Sequence, residues 1–202
     1  MKEKIVFATG NPGKIREVRE MMAETGMEVI SMTEAGIPPE ALCSVAEDGG
    51  SHEENALIKA RAAAAWTDAA VLADDSGLEV DFLGKEPGIY SARYLGEDTP
   101  YSVKNRSLID RLRGVEEAER TARFVCAIAA VLPDGRELTV RATVEGRIAY
   151  EEKGGGGFGY DPIFFLPEFS RTMAELTKGE KNRISHRGKA LRRMKEELQK
   201  IG

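Results

Sequence analysis

The chain has 202 residues, 42% hydrophobic and 31% charged, which suits one globular core drawn out at most into two lobes and is short for two independent enzymatic domains. A formal net charge of -5 argues against a duplex DNA binder that works by neutralising phosphates, and leaves room for a local basic pocket. Cys43 and Cys126 fit no zinc or redox spacing and read as reduced thiols; with no leader and no apolar run near the roughly 18 residues of a membrane span, a cytoplasmic protein with no membrane partner is expected.

Residues 5–8 form a short apolar run that suits a buried strand. Ile15, Val18 and Met21 or Met22 then recur at helical spacing until Gly26 ends the helix. The connection Thr9-Gly10-Asn11-Pro12-Gly13-Lys14 offers an anion free backbone N–H groups, the positive end of the helix dipole and side-chain donors from Thr9, Asn11 and Lys14. It is not a Walker A loop, because Gly10 stands only three residues before Gly13 and Ile15 replaces the hydroxyl that should follow the lysine. An ordinary capped strand-to-helix connection has the same composition.

Val29 and Ile30 suggest the next strand, and residues 33–47 are turn-rich, with Pro38-Pro39 barring regular structure. Glu47, Asp48 and Gly49-Gly50 lead into residues 52–66, whose alanines make the clearest helix of the chain. Asn55 and Lys59 lie four apart and share a face, while Ala56, Ala60 and Ala63 permit close packing behind them. Residues 71–80, VLADDSGLEV, read as an apolar strand that breaks at Asp74 and Asp75, turns at Ser76-Gly77 and resumes through Leu78, Val80 and Phe82. Adjacent carboxylates at the end of a buried strand repel each other and lose hydration. A divalent cation relieves that, and Mg²⁺ suits carboxylate and phosphate oxygens. Asp, Ser and Gly are equally the residues of a plain turn.

Residues 84–87 form another turn, Arg93 can serve a phosphate or a surface salt bridge, and residues 101–112 read as a helix ending at Gly114. Residues 122–132 and 137–144 pair as a hairpin around Pro133-Asp134-Gly135-Arg136, with Arg123 and Arg141 toward solvent. Four glycines, 154–157, point to close approach of a ligand or a neighbouring strand, or else to an exposed flexible loop. Phe158 can stack on a planar base whose edge donates to Asp161, or can pack in a core; Ile163-Phe164-Phe165 is a compact strand. A short helical segment at residues 172–176 precedes a basic stretch, and Leu191, Met194 and Leu198 mark the apolar face of a terminal helix. Ser185-His186-Arg187 stands at the entrance of that helix. His52 and His186 are too few for a His-rich metal site, and no Ser-His-Asp order is evident.

Taken in order, ATGNPGK (8–14), ENALIKA (54–60), ADDSGLEVD (73–81), PGIYSARY (87–94), GGFGYDPIFF (156–165), AELT (174–177) and ISHRGKAL (184–191) resemble the inosine triphosphate pyrophosphatase family, which hydrolyses dITP, ITP and XTP. The resemblance runs nearly end to end. It implies an α/β fold over residues 1–202, an elongated mixed β-sheet with flanking helices forming two lobes around a central cleft, and a homodimer. Residue by residue, it implies that Thr9, Gly10, Asn11, Pro12, Gly13, Lys14 and Lys59 face the triphosphate. Glu47 and Asp75 would hold Mg²⁺, with Asp48 a competing carboxylate beside Glu47. Asp75 would be the general base, Asp74 a supporting carboxylate and Ser76 a substrate contact. Phe158 would stack on the purine, with Gly159, Tyr160, Asp161, Lys181, Ser185, His186 and Arg187 around the base edge and nearby groups.

The implied reaction is attack of water on the α-phosphorus, releasing pyrophosphate and a nucleoside monophosphate without a covalent enzyme intermediate. A haloacid-dehalogenase-like phosphatase shares the acidic strand end and Mg²⁺, but it wants an Asp-x-Asp pair that no early segment supplies. An RNA-binding module would rest on the basic residues 178–193; it leaves the carboxylates and glycines unexplained, and the negative net charge tells against it.

Overall fold

The computed structural model describes residues 4–23, 27–43 and 45–201, apart from the side chains of residues 43 and 201. The chain divides into two compact units, one of Met1–Asp75, Cys126–Ala142 and Arg187–Gly202, the other of Ser76–Val125 and Thr143–His186. Seven strands form one sheet: β1 (Lys4–Phe7), β2 (Glu28–Ser31), β3 (Ala70–Val80), β4 (Thr121–Val131), β5 (Glu137–Ile148), β6 (Phe164–Leu166) and β7 (Arg171–Thr172), in the order β2-β1-β3-β4-β5-β6-β7. β1 runs parallel to both neighbours, with Ile5 opposite Val29 and Ala70, whereas β6 is antiparallel to β5 and β7. The sheet is therefore mixed. β4 and β5 are the expected hairpin, since so short a connection between neighbours admits only antiparallel pairing. Its turn closes through Leu132 N–H to Arg136 O at 2.9 Å, with Gly135 at φ +83°.

In the first unit the strands alternate, and the alternation sorts two cores. Ile5, Phe7, Ala70, Leu72, Cys126 and Ile128 face α1 (Pro12–Met22) and α6 (His186–Ile201), which contribute Val18, Met22, Leu191 and Met194. Val6, Ala8, Val71, Ala73, Ala127 and Ala129 face α3 (His52–Ala64), whose Ala56, Ala60 and Ala63 are fully buried. Small residues on both sides let helix and sheet approach closely. The second unit has its own core, in which Leu78, Val80, Phe124, Val144 and Ile148 pack with Leu108 and Leu112 around α4 (Tyr101–Arg111).

Four expectations need correction. Residues 74–77 do not turn: β3 runs unbroken for 11 residues, because strand neighbours on both sides override the local turn preference of Asp, Ser and Gly. Phe82 belongs to a 3-10 turn over Asp81–Leu83, closed by Gly84 at φ +64°, and not to an extended run. Pro38-Pro39 does not bar structure but leads directly into α2 (Glu40–Cys43), where a missing proline N–H is harmless. Ile163 lies in a 3-10 turn, Asp161–Ile163, ahead of β6. The proposed stop at Gly26 and the Cys43 thiol fall outside what is described; Cys126 is buried with a free thiol.

Candidate active site

The start of α1 is built by Asn11. Its Oδ1 accepts from Gly13 N–H at 2.8 Å and Lys14 N–H at 3.3 Å, and Pro12 has no N–H to offer. The helix N-terminus expected to present free N–H groups to an anion is thus capped by its own side chain. Thr9 Oγ1 in turn accepts from Asn11 N–H at 3.2 Å, and space beside Gly10 is open. Lys14 reaches across to Asp74, with Nζ 2.9 Å from Oδ2.

Asp74 and Asp75 are adjacent in sequence but lie on opposite faces of β3, as strand periodicity requires. Asp74 follows Leu72 toward α1 and α6, where it meets Lys14 and, at 3.2 Å, Arg187 Nε; Arg187 also pairs with Glu17. Burial acts against the Asp74 charge, but the cations of Lys14 and Arg187 outweigh it and hold the carboxyl far below the usual range. Burial likewise opposes the charge on Arg187, and Asp74 chiefly restores it. These are complementary buried charges that need no metal.

Asp75 follows Ala73 toward α3. There Lys59 Nζ lies 3.2 Å from Asp75 Oδ1 and 3.1 Å from Glu47 Oε2, and His52 Nδ1 lies 2.6 Å from Asp75 Oδ2. Burial raises the Asp75 pKa, but the His52 hydrogen bond and the Lys59 charge lower it more. Burial also opposes the ammonium of Lys59, and Asp75, Asp74 and Glu47 outweigh it. Glu47 joins this group, while Asp48 is exposed. Asn55 turns to the loop instead, accepting Gly49 N–H at 2.9 Å and fixing the approach to α3.

In the second unit the glycines have structural work. Gly156 N–H donates to Ala174 O at 3.0 Å, and a Cβ on Gly154 or Gly156 would collide with the Ala174 backbone. Gly157, at φ +73°, leaves room for the Asp161 carboxylate. Asp161 Oδ2 accepts from Phe158 N–H at 2.8 Å and from Lys181 Nζ at 2.8 Å, and Lys181 also lies 4.7 Å from the Phe158 ring centroid. Phe158 is 37% exposed. Lys181 is carried by α5 (Lys178–Ile184), which starts in a capping box of Thr177 and Glu180. Tyr160 is placed differently: its hydroxyl donates to Ser91 O at 2.8 Å, burial pushes its pKa up, and it packs edge-on to Tyr101. Gly159 O accepts from Asn105 Nδ2 at 3.3 Å. Ser185 and His186 are buried, with the imidazole stacked on Phe124 at 4.8 Å.

The first unit thus brings together Lys14 with Arg187 on one face of β3, and Glu47, Lys59 and Asp75 on the other. The second brings together Phe158, Asp161 and Lys181 and begins at Ser76, next in the chain to Asp75. Sequence reasoning missed His52, Glu17 and Asn105, whose partners lie 23, 170 and 54 residues away. No local pattern marks such pairs.

The Ham1 family model matches residues 5–197. The chain belongs to the Ham1 family. Among Ham1 relatives, the dITP/XTP pyrophosphatase of Exiguobacterium sibiricum is 48% identical over 195 residues, 96% of each chain, and that of Bacillus subtilis is 46% identical over 199 residues, 98% of each. A solved HAM1 protein from Coxiella burnetii superposes with a TM-score of 0.86 at 38% identity, covering 98% of this chain and 99% of its own. The Ham1 assignment agrees with the resemblance to inosine triphosphate pyrophosphatases and with the mixed α/β sheet.

Proposed function

We propose that this chain hydrolyses the non-standard purine nucleoside triphosphates dITP, ITP and XTP to nucleoside monophosphate and pyrophosphate. The observation that carries the reading is the meeting of Glu47 and Asp75 on the Lys59 ammonium, with a second lysine–carboxylate pair, half-buried Lys14 and buried Asp74, on the opposite face of β3. Alternating carboxylates and lysines are what a metal-assisted attack on a polyphosphate needs. The names of the Ham1 relatives supply the substrate class.

Among the described residues no three His, Cys, Asp or Glu side chains gather into a metal cage. Mg²⁺ does not require one, because it is held by one or two carboxylates and otherwise by water and phosphate oxygens. Glu47 and Asp75, already joined by one cation, fit that sparse set. Bound there, Mg²⁺ would neutralise phosphate charge and acidify a water.

Asp75 orients the attacking water, and because its pKa lies below the ordinary value it is a weak base. Lys14 and Lys59 hold oxygens of the leaving pyrophosphate. Asp74, itself held by Arg187, fixes Lys14. Phe158 stacks on the purine, and Lys181, steadied by Asp161, donates to the C6 oxygen of hypoxanthine or xanthine. An adenine amino group would face that donor unpaired, at a loss of about 5- to 150-fold. Guanine shares the C6 oxygen, so its rejection arises near C2. We further propose a cytoplasmic homodimer that works without nucleic acid or membrane; no helix among the described residues is long and apolar enough to cross a bilayer.

The test is kcat/KM of the purified protein for ITP, dITP, XTP, dATP, ATP, dGTP, GTP and CTP, with and without Mg²⁺, resolving the phosphate products. ITP, dITP and XTP should lead, with little discrimination between ribose and deoxyribose. Orthophosphate as the first product would reject the pyrophosphatase reading. Equal efficiency on ATP, GTP and ITP would reject only the selectivity.

A further inference from the structure

His52 is the first residue of α3, behind the Ser51 cap, and its imidazole is buried with Nδ1 2.6 Å from Asp75 Oδ2. An ionised carboxylate can only accept, so Nδ1 carries the proton. The other nitrogen, Nε2, is buried and meets no hydrogen-bond partner among the described residues. Leaving a polar atom so is unfavourable, and a phenylalanine or leucine would fill the space without that penalty. The imidazole is therefore explained by its bond to Asp75. Lys59, two turns further along α3, takes Oδ1 of the same carboxylate. One helix thus holds both oxygens of the carboxylate.

We propose that His52 is a positioning residue for the reaction: its Nδ1–H bond locks Asp75 Oδ2 and thereby aims Oδ1 at the group formed with Lys59 and Glu47. This rests on the pyrophosphatase reading above. His52 touches no substrate, so its contribution is to the orientation of Asp75, and it should appear in kcat and in the Mg²⁺ requirement more than in nucleotide binding.

The experiment uses wild-type protein, His52→Phe, which keeps an aromatic ring and removes the donor, and His52→Asn, whose amide can place a donor near the position of Nδ1. Each is assayed for kcat and KM on ITP across a Mg²⁺ series, with the thermal midpoint measured without nucleotide. His52→Phe should lower kcat about 10- to 100-fold, the loss expected for a hydrogen bond to a charged group, with KM for ITP within about 2-fold and half-saturating Mg²⁺ raised. His52→Asn should recover kcat to within about 5-fold of wild type. Long-range ¹H–¹⁵N correlation of the imidazoles in metal-free wild type, where only two histidines occur, should show His52 protonated at Nδ1. A wild-type kcat in His52→Phe, an Nε2–H tautomer, or an Asn variant as inactive as the Phe variant would overturn the proposal. If the Phe variant does not fold, the tautomer and the Asn variant decide. Absence of ITP turnover in wild type would instead reject the underlying activity.

Discussion

Asp74 and Asp75 stand back to back on β3, one carboxylate 2.9 Å from Lys14 on the α1 and α6 face, the other 3.2 Å from Lys59 on the α3 face. A pair that would repel if both pointed the same way is separated by the sheet, and each member acquires its own cations. Their consequences for the protein should differ accordingly.

Asp75→Asn should fold, with a thermal midpoint close to wild type, and lose at least about 100-fold in kcat/KM for ITP. The amide keeps the shape and removes the charge that faces Lys59 and Glu47. Kinetics at saturating Mg²⁺ check this, and near-normal turnover would remove Asp75 from the chemistry.

Asp74→Asn should lower stability, and by releasing Lys14 it should lower activity as well. Lys14, half-buried, and Arg187, buried, would both lose the charge of the fully buried Asp74, although Arg187 keeps its pairing with Glu17, a loss of up to about 3–5 kcal/mol, or roughly 6–20 °C in thermal midpoint for a chain of this size. Differential scanning calorimetry of both variants decides the contrast; a midpoint unchanged from wild type would show the buried network to be worth little.

Glu180 gives a pH-dependent test. Its pKa is lowered to about 2, first by the Thr177 backbone N–H and then by Arg171 and the Thr177 hydroxyl. A depressed carboxyl pKa contributes stability that is fully present above the unfolded value, near 4.5, and fades as pH falls toward 2. The difference in thermal midpoint between wild type and Glu180→Gln should therefore be constant from neutral pH to about 5 and shrink below it. A difference that grows on acidification would contradict the assigned sign.

Gly157→Ala should weaken base recognition. A Cβ there would strike the Asp161 carboxylate, at a φ of +73° that alanine also resists. With Asp161 displaced, Lys181 loses its anchor, and the ITP to ATP ratio of kcat/KM should fall about 5- to 100-fold while Mg²⁺ dependence stays unchanged. An unaltered ratio would detach the glycine loop from selectivity.

Local pattern was enough for the strand, cap and helix at the N-terminus, for α3 and α4, and for the β4–β5 hairpin, because apolar spacing and breakers act within a few residues. It was also enough to bring Asp75, Phe158 and Asp161 into consideration, since adjacent carboxylates and glycines at those spacings are expensive without a use, whereas Glu47, Lys59 and Lys181 came into consideration through the family resemblance. It misread residues 74–77, where the turn preference of Asp-Ser-Gly yields to strand neighbours supplied by distant segments. Nor could it show what neutralises the two aspartates. Arg187 reaches Asp74 from 113 residues away and His52 reaches Asp75 from 23, so the choice between a shared cation and separate protein partners was made by the packing of α1, α6 and α3 on opposite faces of one strand. The period of two that puts Asp74 and Asp75 on opposite faces follows only once β3 is seen to run unbroken through them. Which helix covers each face is a tertiary fact, and it decides which cations each aspartate meets.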